Sequence, residues 1–300
     1  MVNRMRITRY FLGFLFLYTT REIEANDSCG IQYGINRIID GTITDLREFP
    51  WMAILIYQTE RGPGLACGGV LINKKYVLTA AHCVTGSSVK KIGKLIAVRL
   101  GEHDTRTNPD CDNNPVDEDC AASHIDVYVE SSHPHPNYTS TDSNRYNDIA
   151  LVKLQTEVTF SNDLQPICLP STFNEILWNI PGANLHICGW GKTETSDGSF
   201  VKLKAIVPVV NQSNCNLPYA GRKIKIGNLQ ICAGGGTADS CKGDSGGPIM
   251  YEDKFTSDDS RWYTVGVTSF GAEPCATKGI PAIYTKITPY LEWINSVIQS

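Results

Sequence analysis

The chain has 300 residues, 42% hydrophobic and 19% charged, which is enough for one large all-β unit or two smaller domains. Its net charge is −4 and no run of Lys or Arg interrupts it, so composition gives no ground for nucleic-acid binding. At the N-terminus, "MVNRMRITR" carries three arginines and is followed by the eleven-residue apolar run "YFLGFLFLYTT". That run is too short to span a bilayer and has the layout of a secretory signal, read here as residues 1–25. No other segment approaches spanning length, so a secreted, extracellular chain without membrane attachment is expected. The eleven cysteines agree: none forms a C-x-x-C pair, which favours disulfides in an oxidising compartment over zinc, and an odd count leaves one thiol over. Asn-x-Ser/Thr sequons at Asn26, Asn137 and Asn211 are glycosylation candidates in such a chain.

From "FPWMAILIY" to about Tyr284 the pattern is short β-branched or aromatic runs broken by Gly, Pro, Asn and Asp. Examples are "VLINKKYVLTA", "KLIAVRL", "DIALVKL" and "WYTVGVTSF". Many short strands with regular turns predict an antiparallel barrel or sandwich. Only the tail reads as a helix: Ile287, Tyr290, Leu291, Ile294, Val297 and Ile298 share one face, with Thr288 expected as N-cap before Pro289. Residues 108–122 form an acidic stretch without strand signal and with two cysteines of their own, expected to be a surface loop.

The stretch "ADSCKGDSGGP" holds the chemistry: two aspartates, Asp239 and Asp244, around Ser245 in a glycine-rich loop. "GDSGG" matches G-x-S-x-G, but an α/β-hydrolase needs its histidine after the serine, and the last histidine here is His186. No Gly-Lys-Ser/Thr follows the glycines, so a phosphate loop is also out. A serine nucleophile needs a base and a group to orient that base. Of the six histidines, His82 in "VLTAAHC" stands out, ending an apolar strand. For the orienting acid, Asp148 precedes "IALVKL", where a buried carboxylate would require a partner.

"TAAHC", "NDIAL" and "GDSGGP" occur in that order, together with "RIIDG", "FPWMA", "CGGVLI", "CGWG" and "YTKI". On these motifs the chain, from about Arg37 to its end, resembles the chymotrypsin/trypsin family of serine endopeptidases. The resemblance implies two packed six-stranded antiparallel β-barrels with a C-terminal α-helix, and a protease domain over 38–300 after an activation peptide at 26–37. It implies that Ser245 is the nucleophile, His82 the general base and Asp148 its partner, with the backbone N–H groups of Gly243 and Ser245 as oxyanion hole. Asp239 falls at the base of the primary specificity pocket, implying cleavage after Arg or Lys, with Ser269, Gly271 and Ala282 also binding substrate. Ala282 stands where trypsin-like members usually carry glycine, and Phe270 where tryptophan is usual.

"NRIIDG" resembles a zymogen cleavage site, with the bond after Arg37 cut by an upstream protease and the freed Ile38 ammonium pairing with Asp244. The third residue there is Asp40, where glycine is common. The family pattern implies disulfides Cys29–Cys168, Cys67–Cys83, Cys111–Cys120, Cys215–Cys232 and Cys241–Cys275. Cys188, whose family partner would fall near Tyr251, is then a buried free thiol. Glu102, Asp104, Thr107 and Asp110 fall at the spacing of a family calcium loop, so the expectation is either a structural calcium site or a solvated acidic loop, while catalysis requires no cofactor. The insertion and the tethering cysteine resemble arthropod clip-domain proteases of clotting, melanisation and immune cascades, without a six-cysteine clip module ahead. That points to protein substrates, a downstream zymogen among them, and to serpin-type inhibitors. A digestive or venom protease of the same chemistry is the alternative. A silent homologue acting as a binding cofactor is disfavoured because His82, Asp148 and Ser245 are all present.

Overall fold

Twelve strands close into two barrels, and each barrel is an antiparallel ring. The computed structural model describes residues 29–33, 43–112, 119–172, 175–192, 198–236, 244–256, 260–272 and 277–300. The first barrel comprises β1 (Met52–Thr59), β2 (Gly62–Leu71), β3 (Tyr76–Thr79), β4 (Lys94–Leu100), β5 (Ile125–Pro134) and β6 (Ala150–Leu154). Their order around the ring is β1-β2-β3-β6-β5-β4, closed by the β1–β4 ladder. The second comprises β7 (Asn184–Gly189), β8 (Leu203–Val210), β9 (Gln230–Ala233), β10 (Pro248–Lys254), β11 (Ser260–Phe270) and β12 (Ala282–Lys286). Its ring order is β10-β11-β12-β9-β8-β7. Closure removes the free sheet edges that short strands would otherwise expose.

Each barrel is filled by its own inward side chains. Leu55, Val70, Leu78, Val98, Leu151 and Val152 are fully buried in the first, and Leu185, Val207, Ile249, Val265 and Tyr284 in the second. Between them, Phe49 stacks edge-on against Trp262 at 5.0 Å, and the Trp51 indole N–H points at Met250 Sδ. The tail forms a 3₁₀ turn, Thr288–Tyr290, and then an α-helix, Leu291–Ile298, that lays Ile287, Tyr290 and Ile294 on the first barrel's core. Thr288 does not cap this helix: its hydroxyl donates instead to Glu175 Oε2 at 2.6 Å, a long-range partner that local spacing could not reveal. The tail also reaches the segment before β6, where Asn147 Oδ1 accepts from the Tyr290 hydroxyl at 3.0 Å.

Four disulfides join Cys29–Cys168, Cys67–Cys83, Cys111–Cys120 and Cys215–Cys232. The Cys241–Cys275 pairing lies outside the described residues. Cys188 is buried and free, and burial pushes its thiol far up. This is the buried free thiol expected from the sequence. The β7–β10 register sets Ile187 opposite Ile249 and His186 opposite Met250. The acidic loop is anchored by Arg47, which reaches Asp119, Asp163 Oδ1 at 2.9 Å and the Cys120 carbonyl at 2.9 Å. Among the described residues no helix is long and apolar enough to cross a membrane.

Candidate active site

The site lies where the barrels meet, and its parts come from chain segments that leave strands there. β3 ends at Thr79, and the next residues turn into one helical turn, Ala81–Val84, that carries His82. The Cys67–Cys83 disulfide ties that turn to β2, and the Tyr57 hydroxyl donates to the Cys83 carbonyl at 2.8 Å. Cys83, the residue after His82, is thus held twice, and His82 is only 6% exposed.

Asp148, two residues before β6, is completely buried and is satisfied by three donors. The His82 backbone N–H donates to Oδ1 at 2.9 Å, His82 Nδ1 lies 2.8 Å from Oδ2, and the Ser269 hydroxyl reaches Oδ2 at 2.5 Å. Burial alone would raise the Asp148 pKa. The charge and hydrogen bonds of His82, with the Ser269 hydroxyl, outweigh that and hold it below the ordinary carboxylate range. An ionised Asp148 can only accept, so Nδ1 must carry the imidazole proton and Nε2 is left with its lone pair.

Ser245 occupies a tight turn. The Gly247 N–H donates to the Asp244 carbonyl at 2.8 Å, closing the turn with Ser245 and Gly246 at its corner. Gly246 has φ +81°, and a Cβ there would lie 2.2 Å from Thr79 Oγ1, so both conformation and space demand glycine. The turn is pinned to both barrels: Gly68 N–H donates to the Ser245 carbonyl at 2.8 Å and Gly246 N–H to the Thr268 carbonyl at 2.9 Å. Cys83 Sγ lies between the turn and the imidazole. Cys83 Sγ is 3.7 Å from His82 Nε2 and 3.6 Å from the Ser245 carbonyl.

The Asp244 side chain turns away from His82, toward "CGWG". The Gly191 N–H donates to its Oδ1 at 2.9 Å. A Cβ on Gly189 would come within 2.2 Å of that oxygen and one on Gly191 within 2.5 Å of Asp244 Cγ, which explains both glycines of the motif.

The substrate-binding candidates converge on the end of β11. Ser269 is 1% exposed, Gly271 follows the strand, and Ala282 is fully buried on β12. The Ala282 methyl lies 3.5 Å from where a Gly271 Cβ would stand, so it occupies the wall that Gly271 leaves open. Arg37, Ile38, Asp239, Gly243 and Asn26 lie outside the described residues. Asn137 and Asn211 are exposed, and Asn211 Oδ1 caps the helix Gln212–Ala220 by accepting from Asn214 N–H at 2.8 Å.

Of the four calcium-loop residues, the structure brings two carboxylates together. Glu102 and Asp110 are both buried, and burial, followed by the charge of Asp110, pushes Glu102 up to about 7. Paired carboxylates suit a hard cation, but here Glu102 Oε2 already lies 3.2 Å from Arg99 Nη1, and Asp110 Oδ2 accepts from the His103 and Asp104 N–H groups at 2.9 and 3.0 Å. Thr107 donates to Asp110 Oδ1 at 2.6 Å, whereas Asp104 is engaged by Arg106, Nε to Oδ1 at 2.8 Å. The loop abuts the "CGWG" segment, since the Trp190 indole donates to the His103 carbonyl at 3.1 Å. The grouped metal-ligating atoms of Cys67, His82 and Cys83 offer no metal site, because both sulfurs are in one disulfide.

Comparison with known proteins places this geometry. The Trypsin family model matches residues 38–294. The chain is 42% identical to Phenoloxidase-activating enzyme 1 of Spodoptera litura over 276 residues, covering 91% of this chain and 70% of that protein. It is 42% identical to Melanization protease 1 of Drosophila melanogaster over 285 residues, covering 94% and 70%. Among solved structures, the Drosophila Grass clip serine protease of the Toll pathway superposes with a TM-score of 0.78 at 32% identity, covering 92% of this chain and 76% of that one.

Proposed function

The chain belongs to the trypsin family of serine proteases, and on that premise we propose that it is a secreted endopeptidase, made as a zymogen, that cuts protein substrates after Arg or Lys. The observation that carries this reading is the doubly hydrogen-bonded His82–Asp148 pair facing the Ser245 turn. Ser245 attacks the scissile carbonyl carbon while His82 Nε2 takes its proton. The imidazolium, steadied by Asp148, gives that proton to the leaving amine as the C–N bond breaks. Water then repeats the sequence on the acyl-enzyme and frees Ser245. The N–H groups of Gly243 and Ser245 receive the developing oxyanion, each donor contributing about 3 kcal/mol. Asp239 at the pocket base pairs with the substrate's Arg or Lys.

Dormancy before cleavage follows from Asp244. Cutting after Arg37 frees the Ile38 ammonium to enter beside the Asp244 carboxylate, and so sets the Ser245 turn and the pocket. The Cys29–Cys168 disulfide, with Gly30 N–H donating to the Pro166 carbonyl at 2.8 Å, supports a pro-segment that stays attached afterwards. Likeness to a phenoloxidase-activating enzyme and a melanization protease supports a place in an extracellular cascade, with another zymogen as substrate and serpin-type inhibitors as partners.

The test is to cleave the recombinant chain after Arg37 and assay peptides varied at the residue before the cut. Activity confined to Arg and Lys, appearing only after cleavage and lost in Ser245→Ala, is expected. Hydrolysis after apolar residues, or none at all, sinks the reading.

Two further outcomes are expected. Removing the methyl that narrows the pocket, Ala282→Gly, raises kcat/KM on Arg and Lys peptides about tenfold, the usual value of one methyl in a shaped pocket. An unchanged rate means that the methyl does not bear on substrate. For the calcium ion, we propose that Glu102 and Asp110 hold it and that it braces the loop under Trp190. Calcium at about 100 times its Kd then adds roughly 2.7 kcal/mol, several degrees of Tm over chelator-treated protein. Glu102→Gln abolishes that difference. Equal Tm with calcium and chelator rules the site out.

A further inference from the structure

Between the acid of the site and the strand beside it stands a cation with no part in the chemistry above. Arg145, three residues before Asp148, has φ +50°, a left-handed conformation that an arginine rarely adopts. The turn that sets it is closed by its own N–H donating to the Asp142 carbonyl at 3.1 Å. So placed, its guanidinium reaches across to β11: Nη1 donates to the Ser269 carbonyl at 2.8 Å, and Cζ lies 5.8 Å from the centre of the Phe270 ring. The side chain is half-buried.

That carbonyl occupies a particular place. Up to Thr268, β11 is paired on the Ser245 side, with Thr268 N–H donating to the Gly247 carbonyl at 2.8 Å and its carbonyl accepting from Gly246. On the other side the β11–β12 ladder is irregular between Thr268 and Phe270. Ser269 therefore begins the run Ser269–Gly271 along which an extended chain reaching Ser245 can add as one more strand. The first carbonyl such a chain meets is the one that Arg145 now holds.

An added strand presents successive side chains to opposite faces. The residue before the cut bond enters the cleft of Gly271 and Ala282. Its predecessor therefore points the other way, toward His82 and the loop that carries Arg145. Resting on the proteolytic reading above, we infer that Arg145 both caps the Ser269 carbonyl in the free enzyme and selects substrates with a carboxylate one residue ahead of the basic residue. A carboxylate there draws the guanidinium off the carbonyl into a charge-assisted, two-pronged pair, and so frees the carbonyl for the substrate backbone N–H. A neutral side chain leaves the cap in place, and the substrate must displace it. Phe270, in place of the usual tryptophan, provides the flat face on which the guanidinium rests while it caps the carbonyl.

The experiment uses protein cleaved after Arg37 and three peptides alike except at the position before the Arg of the cut bond, which is Asp, Asn or Ala. Wild type is expected to prefer Asp over Asn about tenfold in kcat/KM, the value of one charge-assisted pair, and the preference should shrink as salt rises. Arg145→Ala should cross the two series over: the Asp peptide slows while the Ala peptide speeds up several-fold, because the cap is gone. Arg145→Lys should keep part of the preference. An Asp to Asn ratio near one in wild type, or equal slowing of all three peptides by Arg145→Ala, overturns the inference while leaving the protease reading intact. Silence on every peptide overturns the protease reading and this inference with it. Binding of the Asp and Asn peptides to the Ser245→Ala protein reads the same ratio without turnover.

Discussion

Asp148→Asn is expected to lower kcat on the order of 10⁴-fold while leaving the fold unchanged. The reason lies in which of its three donors can yield. The His82 backbone N–H at Oδ1 cannot reverse, so the amide oxygen of an asparagine must take that place. The amide NH₂ then faces His82 Nδ1 and Ser269. A hydroxyl can rotate to accept, but the imidazole can accept at Nδ1 only by moving its proton to Nε2. The base that should take the Ser245 proton is then already protonated. Substrate binding is unaffected, so the loss falls on kcat and not on KM. Steady-state kinetics of the cleaved variant check this. A kcat within tenfold of wild type would mean that His82 does not act through Nε2.

The second large effect belongs to Asp244→Asn. The two residues have the same shape, and the amide oxygen can keep the Gly191 N–H bond, so packing against Gly189 and Gly191 survives. What is lost is the negative charge that the proposed activation step offers to the Ile38 ammonium. Breaking a buried ion pair from one side costs about 3–5 kcal/mol, so activity of the cleaved chain falls on the order of 10³-fold. The signature is the ratio of cleaved to uncleaved activity. Asp148→Asn lowers the cleaved chain through the chemical step alone, whereas Asp244→Asn collapses the ratio toward one. A variant that still gains fully on cleavage would show that Asp244 is not the activation switch.

Much of this was legible in the residues. Short β-branched or aromatic runs punctuated by Gly and Pro point to an antiparallel barrel or sandwich, and the ordered motifs around His82, Asp148 and Ser245 identify the family and with it the two closed barrels. Three of the disulfides close loops of 9 to 17 residues, but Cys29 and Cys168 pair across 139 positions, and spacing alone could not couple those two. Other features are purely spatial. The Thr288 hydroxyl finds Glu175, Arg47 finds Asp119, and the Arg145 guanidinium finds the Ser269 carbonyl, each across a gap that no local pattern encodes. The left-handed turn at Gly246 was foreshadowed by the glycine run, but the reason for it, Thr79 Oγ1 in the path of any side chain, belongs to the folded state.

The most direct measurement is covalent labelling with an arginine-mimicking phosphonate, read by mass spectrometry before and after the bond following Arg37 is cut. One adduct per chain, on Ser245, forming in the cleaved protein and at least a hundredfold more slowly in the uncleaved one, is the expected result (roughly the rate equivalent of the ion pair at Asp244). Equal labelling of both forms, or an adduct on any other residue, would contradict it.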